Sequence, residues 1–182
     1  MPDMQNGSET FVIFELAGAA YAVRSSLVQQ LEMIEHITPV PNAPAAVEGM
    51  VFSRGRVVPA INLRVRFGFE KADFNLRTRL LVVNVSGRTV GVIVDTAREF
   101  ISIPAAAMGA PNEAISGLSG KYLEAIASLS DRIILILNMD EVINLGEIAL
   151  GEQYADLRSG HQISGAGSGP DAVQAAPSET DR

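Results

Sequence analysis

Phe11-Val12-Ile13-Phe14-Glu15-Leu16-Ala17-Gly18-Ala19-Ala20-Tyr21-Ala22-Val23 decides the fold, because the chain carries a second version of it. Phe11–Leu16 and Tyr21–Val23 are apolar, and Ala17–Ala20 between them reads as a hairpin turn. Moved by 69 positions, Phe11–Ile34 lies on Leu80–Ile103. Phe11-Val12-Ile13-Phe14 then meets Leu80-Leu81-Val82-Val83, Leu16 meets Val85, Gly18 meets Gly87, Tyr21 meets Val90 and Leu31 meets Phe100. The fit breaks at Arg24–Ser26 and Glu32–Met33. A second block fits at a shift of 76: Glu48 on Glu124, Arg56 on Arg132, Val57-Val58 on Ile133-Ile134, and Asn62 on Asn138. The difference places seven extra residues in the second half, near Ala105–Leu123. Two blocks in the same order predict a duplication, each unit running hairpin, helical turn, strand, hairpin.

Outward from that stretch, the body reads as mostly β. Leu80–Val85 and Thr89–Val94 flank Ser86-Gly87-Arg88, Gly49–Phe52 and Val57–Leu63 flank Ser53–Arg56, and Ala125–Leu129 and Ile133–Asn138 flank Ser130-Asp131-Arg132. Four hairpins rich in Val, Ile and Leu point to small barrels or sandwiches. Helix signals are few. Ser25–Gln30 predicts one or two turns, Pro44–Glu48 a short turn stopped by Gly49, and Asn138–Leu145 a last helix with Asp140 and Glu141 near its positive end.

The chain has 182 residues, 47% hydrophobic and 19% charged, enough to bury a sizeable core. Fourteen basic and 21 acidic residues give a net charge of −7, a poor balance for gripping nucleic-acid phosphates. There is no cysteine, hence no disulfide, thiolate nucleophile or cysteine zinc site. Residues 1–9 read as a flexible, polar N-terminus without a secretory pattern, and the apolar runs Leu80–Val83 and Ile133–Leu137 are too short to span a bilayer. Gly151–Arg182 is rich in Gly, Ser, Ala and Pro and reads as a disordered tail.

Chemistry-bearing constellations are sparse. His161 falls in the tail, and His36 sits in a Pro-rich stretch with no second histidine to share a metal. No serine stands in a nucleophile-elbow pattern, and Gly165, Gly167 and Gly169 lack a flanking strand and helix that would make a phosphate loop. Asp95 ends the apolar run Val90–Val94; it is either an acceptor for backbone N–H groups at a strand end or, in an enzyme, the acid–base residue. Asp131 reads as a turn former. Arg54 stands at a hairpin tip before Gly55, either as a solvated turn residue or as a fixed cation for a partner's carboxylate or carbonyl.

In order along the chain, Phe11–Phe14, Tyr21-Ala22-Val23, Val28-Gln29-Gln30-Leu31, Thr38-Pro39-Val40-Pro41, Glu48-Gly49-Met50-Val51 and Arg54–Leu63 resemble the CheW-like adaptor domain of bacterial chemotaxis. Val90–Val94 with Asp95, Tyr122-Leu123 and Asp131–Asn138 extend the resemblance, which covers about Thr10 to Leu150. It implies two five-stranded Src-homology-3-like barrels packed around a shared core, within a domain spanning 10–150. It implies a non-catalytic scaffold without cofactor or metal, joining chemoreceptor cytoplasmic tips to the regulatory domain of the histidine kinase CheA at cytoplasmic receptor arrays. An adaptor of a related array with another output, such as pili or development, is the alternative. By position, Val28, Gln30, Leu31, Gly49, Arg54 and Gly55 are the expected partner-binding residues, bordering a groove between the barrels. Ala105–Leu123 is either a kinase contact or a connecting loop.

Two departures from the family pattern stand out. The family commonly has Glu where Gln30 stands, close to the arginine matching Arg54, and a neutral amide can offer that arginine only a hydrogen bond. The usual Asn-Leu-Arg-Gly reads Phe52-Ser53-Arg54-Gly55, so Ser53 removes an apolar side chain near the tip.

Overall fold

The computed structural model describes residues 7–111 and 120–143. Within them run β1 (Ser8–Leu16), β2 (Ala19–Arg24), β3 (Val28–Met33), β4 (Val47–Ser53), β5 (Arg56–Asn62), α1 (Leu63–Arg66), β6 (Arg79–Val85), β7 (Arg88–Val94), β8 (Thr96–Pro104), β9 (Met108–Gly109), β10 (Leu123–Leu129), β11 (Arg132–Leu137) and α2 (Met139–Ile143). All four predicted hairpins form. Three turn on a pair of left-handed residues: Ala17-Gly18, Arg54-Gly55 and Ser86-Gly87, with φ of +50/+82°, +42/+80° and +50/+82°. Two-residue turns of this hand match the right-handed twist of the strands they join.

The strands make two sheets, in the orders β3-β6-β7-β5-β4 (the first barrel) and β8-β1-β2-β11-β10-β9 (the second). Neither sheet belongs to one half of the sequence. The leading hairpin of each unit has crossed over: β6 and β7 complete the sheet of β3, β4 and β5, while β1 and β2 complete that of β8, β10 and β11. The registers repeat at the two sequence shifts. Leu31 opposite Leu81 becomes Val12 opposite Phe100, and Ala60 beside Gly91 becomes Ile136 beside Ala22. The repeat persists where residue identity fails, since Glu32–Leu80 corresponds to Ile101–Phe11 and Met33–Arg79 to Ser102–Thr10. Asn62 and Asn138, aligned by the second shift, both cap helices: Asn62 Oδ1 accepts from Arg64 N at 3.0 Å, and Asn138 Oδ1 from Asp140 N at 3.2 Å.

The crossed hairpins explain the unbroken apolar runs, because their strands are buried on both faces. Along β1, Phe11 and Ile13 fill the second barrel, while Val12, Phe14 and Leu16 face the core between the barrels. Along β6, Leu80 and Val82 fill the first barrel, while Leu81, Val83 and Val85 join the shared core. Rings cross that core in sequence: Phe14 to Tyr21 at 5.9 Å, Tyr21 to Phe67 at 5.8 Å, Phe67 to Tyr122 at 5.1 Å.

Several expectations need correction. Ser25–Gln30 makes only one 3-10 turn, Ser25–Leu27, with no side-chain cap; Val28 already starts β3. Pairing with β6 overrides the weak local helix signal. The Pro44–Glu48 turn is limited to a Val47 N–H bond to the Pro44 carbonyl, and Val47 and Glu48 belong to β4. Leu63, read as strand, opens α1. Ser8 and Glu9 are not a loose end: they pair with Pro104 and Ile103, which extends β1 along β8. In Ala105–Leu123 the chain makes a 3-10 turn, Ala105–Ala107, and the short β9 that pairs with β10. The predicted tail Gly151–Arg182 and the end of the last helix at Leu145 lie outside the described residues.

Candidate partner-docking site

The tip of the β4–β5 hairpin mounts Arg54 and Gly55, both exposed. Arg54 holds a left-handed backbone that a two-residue turn imposes, so its Cα–Cβ direction is set by the strands beneath. Next to it, the first barrel closes. β3 and β4 are opposite edges of one sheet, yet Ser53 on β4 reaches Gln30 and Glu32 on β3. Ser53 is only 5% exposed, and its hydroxyl donates to Glu32 Oε1 at 3.0 Å. The Gln30 amide is fixed by its neighbours: its NH2 donates to Ser53 Oγ at 2.9 Å and to the Glu32 carboxylate, and its oxygen accepts from Arg54 Nε at 3.3 Å. Gln29, Gln30, Ser53, Arg54, Arg56 and Val58 border a cleft of about 240 Å³ at this barrel mouth.

Val28 and Leu31 lie on the other side of β3, which carries a bulge between Val28 and Gln30. Val28 packs on the shared core; Leu31 pairs with the core residue Leu81 but is itself 39% exposed. Five of the six expected residues therefore sit around β3 and the hairpin tip. Gly49 does not share that surface. It is buried at a bulge in β4, and a Cβ there would stand 2.2 Å from the Thr38 carbonyl oxygen. Its position serves the close passage of Thr38, which bridges Met50 through both backbone groups at 2.8 Å. Sequence reading missed Glu32, and treated Ser53 only as a lost apolar contact. The structure puts that hydroxyl in a hydrogen-bond network.

Asp95 does accept a backbone N–H, but from Ala17 rather than from its own turn. Its Oδ2 takes Ala17 N at 2.9 Å, and its two oxygens meet Arg64 Nε and Nη2 at 2.6 and 2.7 Å. Asp95 N returns a bond to the Glu15 carbonyl at 3.1 Å, which ties the β1–β2 hairpin to the β7–β8 bend. Burial raises the carboxyl pKa, but the Arg64 hydrogen bonds, the Ala17 amide and the Arg64 charge outweigh it and leave it below the ordinary aspartate value. A carboxylate so occupied is a poor general base. Its depressed pKa contributes stability above the unfolded-state value near 4, lost as pH falls through the lower folded value. Asp95→Asn should thus cost roughly 1–2 kcal/mol in urea unfolding at pH 7, and the difference from the parent should shrink as pH falls below the ordinary aspartate value of about 4. An undiminished difference there would contradict this account.

Among the described residues, no three His, Asp or Glu side chains gather where they could hold a metal ion, and no helix is long and apolar enough to cross a membrane.

The CheW-like domain family matches residues 10–147, and the chain belongs to it. Chemotaxis protein CheW of Klebsiella aerogenes is 27% identical over 147 residues, covering 81% of this chain and 89% of the relative. Chemotaxis protein CheW of Helicobacter pylori is 30% identical over 135 residues, covering 73% and 80%. The solved scaffolding protein TtCheW from Thermoanaerobacter tengcongensis superposes with a TM-score of 0.68 at 29% identity, covering 72% of this chain and 90% of that one.

Proposed function

We propose that this chain is a non-catalytic adaptor that couples chemoreceptor cytoplasmic tips to the regulatory domain of the histidine kinase CheA, in cytoplasmic receptor arrays. Family membership supports an adaptor of the chemotaxis type. The observation that carries the coupling role is Arg54: a permanent cation on a rigid hairpin tip, held by the amide of Gln30 and without a carboxylate partner among the described residues. A preformed edge of this kind loses little freedom on binding, and a receptor helix would lay apolar anchors against Val28 and Leu31 while Arg54 takes a polar group at its end. Control of the kinase then follows from holding two partners on one frame, as a coupling free energy between sites.

The test is co-sedimentation of the purified chain with a receptor signalling fragment and CheA, with kinase activity read in parallel. Arg54→Ala should weaken receptor binding about tenfold or more, as loss of a central arginine anchor does. Its Tm should stay within about 2 °C of the parent, since the side chain is exposed and its hydrogen bond to Gln30 is long. Failure of the parent chain to bind either partner would end the reading.

A further inference from the structure

The two barrel mouths are related by the duplication, and comparing them isolates what is special about the first. At the second mouth, position 30 corresponds to Glu99, 32 to Ile101, 53 to Leu129 and 56 to Arg132. There Glu99 Oε1 meets Arg132 Nη1 directly, at 2.6 Å, and the other two positions are apolar. At the first mouth the acid is missing from position 30, while positions 32 and 53 are both polar. The carboxylate has in effect moved two residues along the same face of β3, and two donors have come to meet it.

We propose that Glu32 is a positioning residue for Arg54, acting through Gln30. An amide can turn either end outward. The Glu32 carboxylate accepts from the Gln30 NH2 and from the Ser53 hydroxyl, and thereby holds the NH2 end inward. The amide oxygen is left facing Arg54 Nε. Without an acceptor at position 32, the Gln30 NH2 and the buried Ser53 hydroxyl compete for each other and the amide loses its preferred sense. Position 54 corresponds to Ser130 and Arg132 to Arg56, so the second mouth carries no counterpart of Arg54. This proposal rests on the reading of Arg54 as a docking residue.

The experiment uses the full chain and two readouts. Glu32→Ile installs the residue of the matching position 101 and removes the acceptor. Receptor-fragment affinity should fall about fivefold, the loss of one charge-assisted hydrogen bond's orienting effect. Adding Gln30→Glu to that variant puts a carboxylate oxygen where the amide oxygen faced Arg54 Nε and should restore affinity to within about twofold. In the free protein, the Arg54 Nε–H resonance should shift and exchange faster in Glu32→Ile, and regain protection in the double variant. An unchanged resonance in Glu32→Ile, or loss of affinity that Gln30→Glu does not rescue at unchanged Tm, would overturn the proposal. If Glu32→Ile lowers Tm strongly, Ser53→Ala, which removes a donor and keeps the acid, should give a smaller shift of the same resonance; no shift would also overturn it. If Arg54→Ala itself leaves receptor binding intact, the docking reading falls, and the resonance alone decides the role of Glu32.

Discussion

Gly49→Ala should destabilise the chain by about 3–5 kcal/mol, with a Tm drop of about 10 °C, although the change adds one methyl group. The Cβ would arrive 2.2 Å from the Thr38 carbonyl oxygen, 2.8 Å from its carbon and 2.9 Å from Ile37 Cγ2. Two of those three atoms are backbone and cannot swing aside as a flexible side chain would. The residue also sits at φ +148°, a conformation L-residues rarely adopt. Relief would require Thr38 to leave Met50, which breaks the two 2.8 Å bonds that cover the edge of β4. Gly55→Ala is the control: φ is +80° there, but nothing lies within 4 Å, so only the backbone cost of about 1 kcal/mol remains. Thermal melts of the two variants, followed by circular dichroism, make the comparison. Equal losses would show that conformation and not steric room governs Gly49. A Gly49 variant that loses partner binding would then report a displaced strand, not a missing contact.

How much of this was readable in advance follows from where each signal lies along the chain. The hairpins were readable because a two-residue turn is local: Ala17-Gly18, Arg54-Gly55 and Ser86-Gly87 announce themselves between apolar runs. The register was readable through the repeat, and the shifts of 69 and 76 predict pairings even at Glu32 and Met33, where the residues differ. The crossing of the hairpins was not. Whether β1–β2 joins β3 or β8 changes no local pattern, because those strands are buried on both faces either way. β3 was misread for a related reason. Its bulge at Gln29 breaks the alternation and leaves Val28 and Leu31 three apart, the spacing of a helix face. Of the site, the tip residues Arg54 and Gly55 stood out, but the network of Gln30, Glu32 and Ser53 joins positions more than twenty residues apart. Only closure of the barrel brings them together.

Phe14→Ala should cost about 3–5 kcal/mol and lower the stability of both barrels in a single step. Phe14 is 2% exposed and lies in the core that the barrels share, stacked on Tyr21 at the head of the ring series that ends at Tyr122. Truncation removes a ring stacked on Tyr21 and leaves a cavity in a core that residues of both sheets, β6 and β7 included, build together. The single step follows from topology. Each sheet contains strands from both halves of the sequence, so neither barrel can be completed while the other half is unfolded. Against a total stability of roughly 5–15 kcal/mol, such a loss brings the variant close to its unfolding midpoint at moderate urea. Ile134→Ala is the informative companion, since Ile134 lies wholly inside the second barrel. If the crossed hairpins weld the fold into one unit, that substitution too should give one transition, coincident whether followed by backbone signal or by tyrosine fluorescence, with an m-value equal to the parent's. Two separated transitions in either variant would show that the barrels unfold independently, and that the shared core is an interface rather than the centre of the molecule.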